Sequence, residues 1–163
     1  MQPMFKLAVA AIAVGAVLAA GDVARAMGTG SSSESTSSSS SSGTDADYAA
    51  GEKAAKAGKY ADAAALMQKV VGRAPSNADA WNYLGFSYRK LGKFSDALAA
   101  YEKALAINPG HLGANEYLGE LYLDTGDMPK AEERLARLDK LCGTSCTEYR
   151  TLKSAIDAKK KSG

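Results

Sequence analysis

One histidine, two cysteines and one tryptophan in 163 residues leave little from which to assemble reactive chemistry. His111 is far in sequence from either cysteine, so no imidazole–thiolate cluster of zinc or copper spacing forms, and no serine has a histidine and an acid placed to orient it. No glycine-rich phosphate loop follows a strand pattern. The paired acids Glu132 and Glu133 fall on an exposed helical face and read as solvated charge. The sequence is therefore that of a non-enzyme with no cofactor and no resident metal. An excess of one charge is missing too: 20 Lys plus Arg stand against 18 Asp plus Glu, a formal net charge of +2. That balance gives no general pull toward nucleic acid. The basic cluster Lys159, Lys160 and Lys161 suits the negative end of a last helix.

Long hydrophobic runs are also scarce. The single one, Leu7 to Gly21, is fifteen residues of mostly alanine and valine, short of the roughly twenty that span a bilayer. Lys6 precedes it and Ala24-Arg25-Ala26 follows, the anatomy of a secretory leader cut after Ala26. Residues 1–26 are therefore expected to be a signal peptide. The mature chain then has no stable membrane span, and no cysteine after the run offers a lipid anchor. A leader of this form looks bacterial and makes the periplasm the expected location, with full secretion the alternative. Losing Lys6, Arg25 and Asp22 with the leader leaves 18 basic against 17 acidic residues. From Met27 to Thr44 the chain is rich in serine and nearly free of apolar side chains. It cannot offset its ordering entropy and is expected to be a disordered linker over 27–44.

What the remainder does have is a period. Gly51, Gly85 and Gly119 recur every 34 residues, as do Ala63, Ala97 and Ala131, and Gly58, Gly92 and Gly126. The first two series suit places where the antiparallel helices of one hairpin approach closely. The third suits a turn that needs positive φ. Three repeats follow, 44–77, 78–111 and 112–145, in a folded domain over 45–161. Pro75 and Pro109 close the first two, and Gly143 stands at the equivalent place in the third. Leu84, Tyr88, Leu98, Tyr101 and Leu105 supply the core of the middle unit, and Leu118, Tyr122, Leu135 and Leu138 that of the third. The first unit has alanine in many of those places and is expected to pack loosely. Asn115 stands where the middle unit has Trp81, a departure expected to weaken packing there. Thr44 with Asp47 is a weak capping box for the first helix, and Asp127 followed by Pro129 marks another helix start. Ser145 and Glu148 have capping-box spacing. Tyr149, Leu152 and Ile156 then give one apolar face to a capping helix over 146–160.

Trp81, Leu84, Gly85, Tyr88, Ala97, Tyr101, Ala104 and Pro109 match the tetratricopeptide pattern position by position. The chain thus resembles the tetratricopeptide repeat family. That resemblance implies an all-α fold, a right-handed α-α superhelix of three helical hairpins plus the capping helix. It also implies that the first helix of each hairpin lines a concave groove. Counting the groove positions from each repeat start gives Asp45, Tyr48, Glu52 and Ala55, then Asp79, Asn82, Phe86 and Arg89, then Gly113, Glu116, Glu120 and Leu123. Five carboxylates there outnumber one arginine, with Tyr48 and Phe86 adding aromatic area. Such a wall suits a protein or peptide segment carrying basic and apolar side chains. Family members that grip chaperone C-termini need Lys and Asn where this chain has Tyr48, Glu52, Tyr83, Gly113 and Tyr117, so that ligand is not expected. Tyr83 and Tyr117 share one repeat position and read as interior packing.

Cys142 and Cys146 flank the turn Gly143-Thr144-Ser145. In an oxidising compartment the plain expectation is a structural disulfide, since Cα atoms across such a turn fall within bridging range. A redox pair would favour Cys-x-x-Cys beside a strand, and a metal site would need further ligands. The function expected is thus a periplasmic protein–protein interaction adaptor, with self-association through the first repeat as a further partner reading. The alternative is a redox or metal-handling accessory protein that uses the two cysteines.

Overall fold

The computed structural model describes residues 38–162, with side chains from 46 onward. The leader, its Ala26 cleavage site and the linker up to residue 37 lie outside the described residues, as does the side chain of Asp45. Among the described residues there are seven helices and no strand: α1 Ser38–Lys56, α2 Tyr60–Arg73, α3 Ala78–Lys90, α4 Phe94–Ile107, α5 Leu112–Asp124, α6 Met128–Cys142 and α7 Thr147–Ser162. They form three antiparallel hairpins and a final helix, an all-α helical-repeat superhelix. No described helix is long and apolar enough to cross a membrane.

Two boundaries differ from expectation. Helix α1 begins at Ser38, so the stretch 38–44 is helical rather than the end of a linker, and Thr44 lies inside the helix instead of capping it. Serine has only modestly poor helix propensity, so a serine tract can extend a helix whose stability comes from packing further along. The final helix runs from Thr147 to Ser162, leaving Cys146 just ahead of it; the Cys146 carbonyl accepts from Arg150 N–H in its first turn.

Within each hairpin the turn is set by a glycine at positive φ: Gly58 at 75°, Gly92 at 73° and Gly126 at 83°. Only glycine reaches this conformation without strain, and it lets the next residue's N–H return to the preceding helix, as from Lys93 to the Tyr88 carbonyl at 2.9 Å. Between hairpins, side chains start the helices. Asn77 accepts from Ala80 N–H at 2.9 Å to cap α3 and His111 Nδ1 accepts from Ala114 N–H at 3.1 Å to cap α5; inside the third hairpin, Asp127 accepts from Lys130 N–H at 3.2 Å to cap α6.

The small residues do different jobs along the stack. A Cβ on Gly51 would sit 2.9 Å from Met67 Cε, and one on Gly85 would sit 2.7 Å from the Tyr101 ring, so both glycines admit the second helix of their own hairpin. Gly119 departs from this. The nearest atoms to its missing side chain belong to Leu152 of α7, so the third glycine admits the final helix. Ala63, Ala97 and Ala131 are all fully buried.

Asn115 also departs from expectation. It is wholly buried and well bonded: Nδ2 donates to the Pro109 and His111 carbonyls at 3.4 and 3.0 Å, and Oδ1 accepts from Arg134 at 3.5 Å. One repeat earlier, Trp81 Nε1 donates to the Pro75 carbonyl at 2.9 Å. The two residues pin the same inter-repeat carbonyl, so Asn115 preserves the joint rather than weakening it.

Candidate functional site

The odd-numbered helices form an inner layer. α1 touches α3, α3 touches α5 and α5 touches α7, whereas the outer helices α2, α4 and α6 make no contact with one another. Outer helices that splay while inner ones touch curve the stack, and the inner helices become the wall of a concavity.

The structure distributes the expected groove residues unevenly. Asp79 is exposed, and Tyr48, Glu52, Phe86 and Glu120 are half-buried along the wall. Asn82, Arg89 and Glu116 are largely buried, at 6%, 8% and 8% exposure, and so are not the open contact residues their positions suggested. For Arg89 the reason is pairing across repeats. Arg89 donates through Nη2 to Glu120 and through Nη1 to Asp124, at 2.9 Å for the latter, so one guanidinium of α3 fastens two carboxylates of α5. Bidentate neutralisation of this kind is what allows an arginine to be buried. Asp124 was not among the expected residues. Nothing in its own repeat marks it, because its partner lies 35 residues away.

At the first inner helix, Lys56 and the Tyr83 hydroxyl each donate to Glu52 at 2.8 Å and hold its carboxyl below the usual range. The Tyr48 and Tyr83 rings meet edge-on at 6.0 Å. Burial, followed by the charges of Asp79 and Glu52, pushes the Tyr48 hydroxyl up to about 12. Asp79 itself accepts from His111 Nε2 at 2.9 Å; with Nδ1 accepting the α5 cap, the ring carries its proton on Nε2. Further along, Phe86 lies 5.9 Å from the Tyr60 ring and 5.0 Å from that of Tyr117, with the Lys90 ammonium 5.4 Å above it. Tyr83 and Tyr117 each pack against a core cluster, as expected, and are half-buried, so part of each ring also faces the wall.

Glu116 is the one acid among the described residues that is buried. It makes no hydrogen bond or ion pair among the described residues, and its neighbours include Glu120 and, from α7, Glu148. Burial first, and then these two carboxylates, push its carboxyl up to about 7, with Arg89 pulling the other way.

The final helix contributes to the wall instead of merely covering an end. With α3 and α5 it encloses a cleft of about 540 Å³ bordered by Arg89, Lys90, Glu120, Asp124, Ala158 and Lys159. A signal for this was present in the sequence. Tyr149, Leu152 and Ile156 lie two periods after Trp81, Leu84 and Tyr88, and so repeat the apolar face of a first helix. Lys153 stands at the glycine position. Cys142 and Cys146 are bonded to each other with Cα atoms 5.9 Å apart, fixing the turn between α6 and α7. Glu148 lies close to both sulfurs, and three donor atoms there would face one another if the bond were reduced.

Family models of the tetratricopeptide repeat match residues 78–111 and 48–88. Together with the hairpin geometry, these matches decide the family. The chain is a tetratricopeptide-repeat protein. Its fold recurs in many solved tetratricopeptide structures at low identity. One is the first such domain of Spaghetti (RPAP3) bound to the HSP90 peptide SRMEEVD, with 22% identity, a TM-score of 0.62, and coverage of 72% of this chain and 95% of that one. Another is the Yersinia enterocolitica type III secretion chaperone SycD in complex with a peptide of the translocator YopD, at 18% identity and a TM-score of 0.62, covering 72% and 89%. A third is the TPR2B domain of yeast Sti1 in its pHsp70 complex, at 16% identity and a TM-score of 0.67, covering 75% and 99%. No curated protein matches the chain by sequence.

Proposed function

We propose that this tetratricopeptide protein is a non-catalytic adaptor that holds an extended or helical segment of another protein against its inner wall, and that it works in the bacterial periplasm after export. The observation that carries the binding reading is the half-buried Phe86 set between Tyr60 and Tyr117 on a wall otherwise rich in carboxylates. Aromatic surface held rigidly in a concavity supplies contact area at little entropic cost, and the acids around it select a partner bearing basic as well as apolar side chains. The RPAP3 and SycD structures hold peptides, which supports the general mode of use. The acidic character of the RPAP3 ligand does not carry over, because Glu52, Glu116 and Glu120 would repel it. The export reading is supported by Lys6, the apolar run after it and the small residues around Ala26.

The test is selection of displayed random peptides on the immobilised chain, followed by calorimetry with the Phe86→Ala variant. Selected peptides are expected to carry Lys or Arg beside an apolar residue and to lose about tenfold or more in affinity for the variant, the effect of removing a central aromatic contact. Peptides that bind wild type and variant alike would reject the inner wall as the site. Mature-chain detection in an osmotic-shock fraction, with its new N-terminus at Met27, tests export; retention with the cytosolic fraction would reject it.

A further inference from the structure

The three large apolar side chains that stand exposed among the described residues all lie at the ends of one helix, α4. Leu91, in the turn before it, is 40% exposed, Phe94, its first residue, 37%, and Ile107, its last, 40%. Exposed apolar groups gathered in one place, rather than scattered singly, mark a contact surface. Between those ends α4 carries the stripe Asp96, Ala99, Ala100 and Lys103, whose spacing of three and four keeps it on one face. This stripe borders a cleft of about 360 Å³, floored by Trp81, Leu84 and Tyr88 of α3 and closed on the far side by Val71 of α2. The cleft exists because α2 and α4 do not touch, which leaves α3 uncovered between them. Asp96 and Lys103 are exposed, and neither has a hydrogen-bond or ion-pair partner among the described residues. The third hairpin has no such stripe: 34 residues on, the same positions are Lys130, Glu133, Arg134 and Arg137, all charged.

We propose that a second copy of this chain docks on this surface, with the α4 helices of the two copies antiparallel about a two-fold axis. The order of the charges selects that occupant. Asp96 and Lys103 lie two turns apart, about 10.5 Å along the helix, and equally far to either side of the Ala99–Ala100 step. An antiparallel copy therefore sets each Asp96 against the other's Lys103 and forms both pairs at once, the self-complementarity that a two-fold contact requires. At the midpoint the two alanines present no long side chain, so the helix backbones can approach closely. Ile107, eleven residues after Asp96, continues the stripe, and the same arrangement carries it to the end of the other copy where Leu91 and Phe94 stand. The charge pairs at the rim set orientation, and the apolar contact supplies the affinity. The interface is the middle hairpin, not the loosely packed first one. Because α4 is an outer helix, pairing leaves both inner walls open and joins two of them in one particle. A partner with two suitable segments is then gripped twice.

Sedimentation equilibrium on the full chain tests the pairing. The chain is expected to follow a monomer–dimer equilibrium that Asp96→Lys or Lys103→Asp weakens about tenfold or more, because two-fold symmetry turns each single change into two like-charge contacts. Mixing the two variants restores dimers of mixed composition, and placing both changes in one chain restores the homodimer. Asp62→Lys, at the matching position on α2, where no preceding described hairpin completes a cleft, leaves dimerisation unchanged. All these positions are exposed, and circular dichroism checks that each variant keeps its helices. A chain that stays monomeric at roughly 1 mM overturns the proposal. So does a dimer indifferent to both changes, one equally sensitive to Asp62→Lys, or one weakened by the single changes and not restored by mixing. A photo-reactive residue in place of Ala99, activated in the producing cells, then identifies the occupant. An adduct of twice the chain's mass supports a second copy, and adducts with another protein alone overturn it. The inner wall takes no part in this contact, so loss of the dimer with peptide binding intact rejects the pairing and leaves the adaptor reading standing.

Discussion

Replacing Glu116 by glutamine is expected to raise the stability of the domain at pH 8 and to leave it unchanged at pH 4. In the folded chain, burial and the carboxylates of Glu120 and Glu148 move the Glu116 carboxyl from 4.5 up to about 7. Below 4.5 the group is protonated in folded and unfolded chains alike and contributes no difference. Between 4.5 and about 7 the folded state keeps a proton that the unfolded state releases, so stability falls as pH rises. Above about 7 the whole cost is present. At roughly 1.4 kcal/mol per pH unit, the ceiling is about 3 kcal/mol. Glutamine has nearly the same shape and no charge, so it removes the dependence. Urea unfolding followed by helical circular dichroism at pH 4, 6 and 8 reads the difference between variant and wild type. Glu52, Asp127 and Asp157, held below the usual carboxylate range by partners, weaken both proteins equally in acid and cancel in that difference. A flat difference across pH, or a variant less stable at pH 8, would refute the claim that this acid is buried at a cost.

Three further outcomes follow from the packing. Changing Cys142 and Cys146 to serine removes a short cross-link, expected to cost about 2 kcal/mol by loop-closure entropy; hydrogen exchange should then show α7 opening ahead of α3 and α5, and uniform exchange across the helices would contradict its fastening role. Gly119→Ala drives a methyl into Leu152 and is expected to destabilise by about 1–3 kcal/mol, whereas Gly72→Ala, in a helix with open space around it, is expected to stabilise by up to about 1 kcal/mol; thermal melts that rank the two the other way would reject the assigned contacts. Asn115→Ala leaves the Pro109 carbonyl unmet and is expected to cost about 2 kcal/mol in chemical unfolding, against a near-neutral effect if the residue were a loose substitute for tryptophan.

Much of the fold was legible because some positions admit one kind of residue only. Gly85 beside Tyr101 and Gly92 at positive φ are steric requirements, and requirements repeated every 34 residues expose the hairpins directly. The inner wall was legible as a face but not as a set of charges. Spacing placed Asn82, Arg89 and Glu116 on that face, yet whether a side chain there meets solvent depends on a neighbour one repeat away, as Arg89 meets Glu120 and Asp124. Pairing between repeats leaves no local pattern. The role of Asn115 was hidden for a related reason: an amide and an indole differ in every property except the ability to donate to the same carbonyl. The start of α1 was missed because a serine tract carries no periodic signal, and its helix is an extension of one stabilised further along.

The central claim is that the inner wall, with α7 as its last member, is where a partner is held. The most direct test is NMR chemical-shift mapping of the labelled chain with a peptide selected as above. Perturbations are expected on Glu52, Phe86, Glu116 and Tyr117, continuing onto Glu148 of α7. Perturbations confined instead to Trp81, Tyr88 and Lys103, which line the cleft between α2, α3 and α4 on the side of the outer helices, would contradict it.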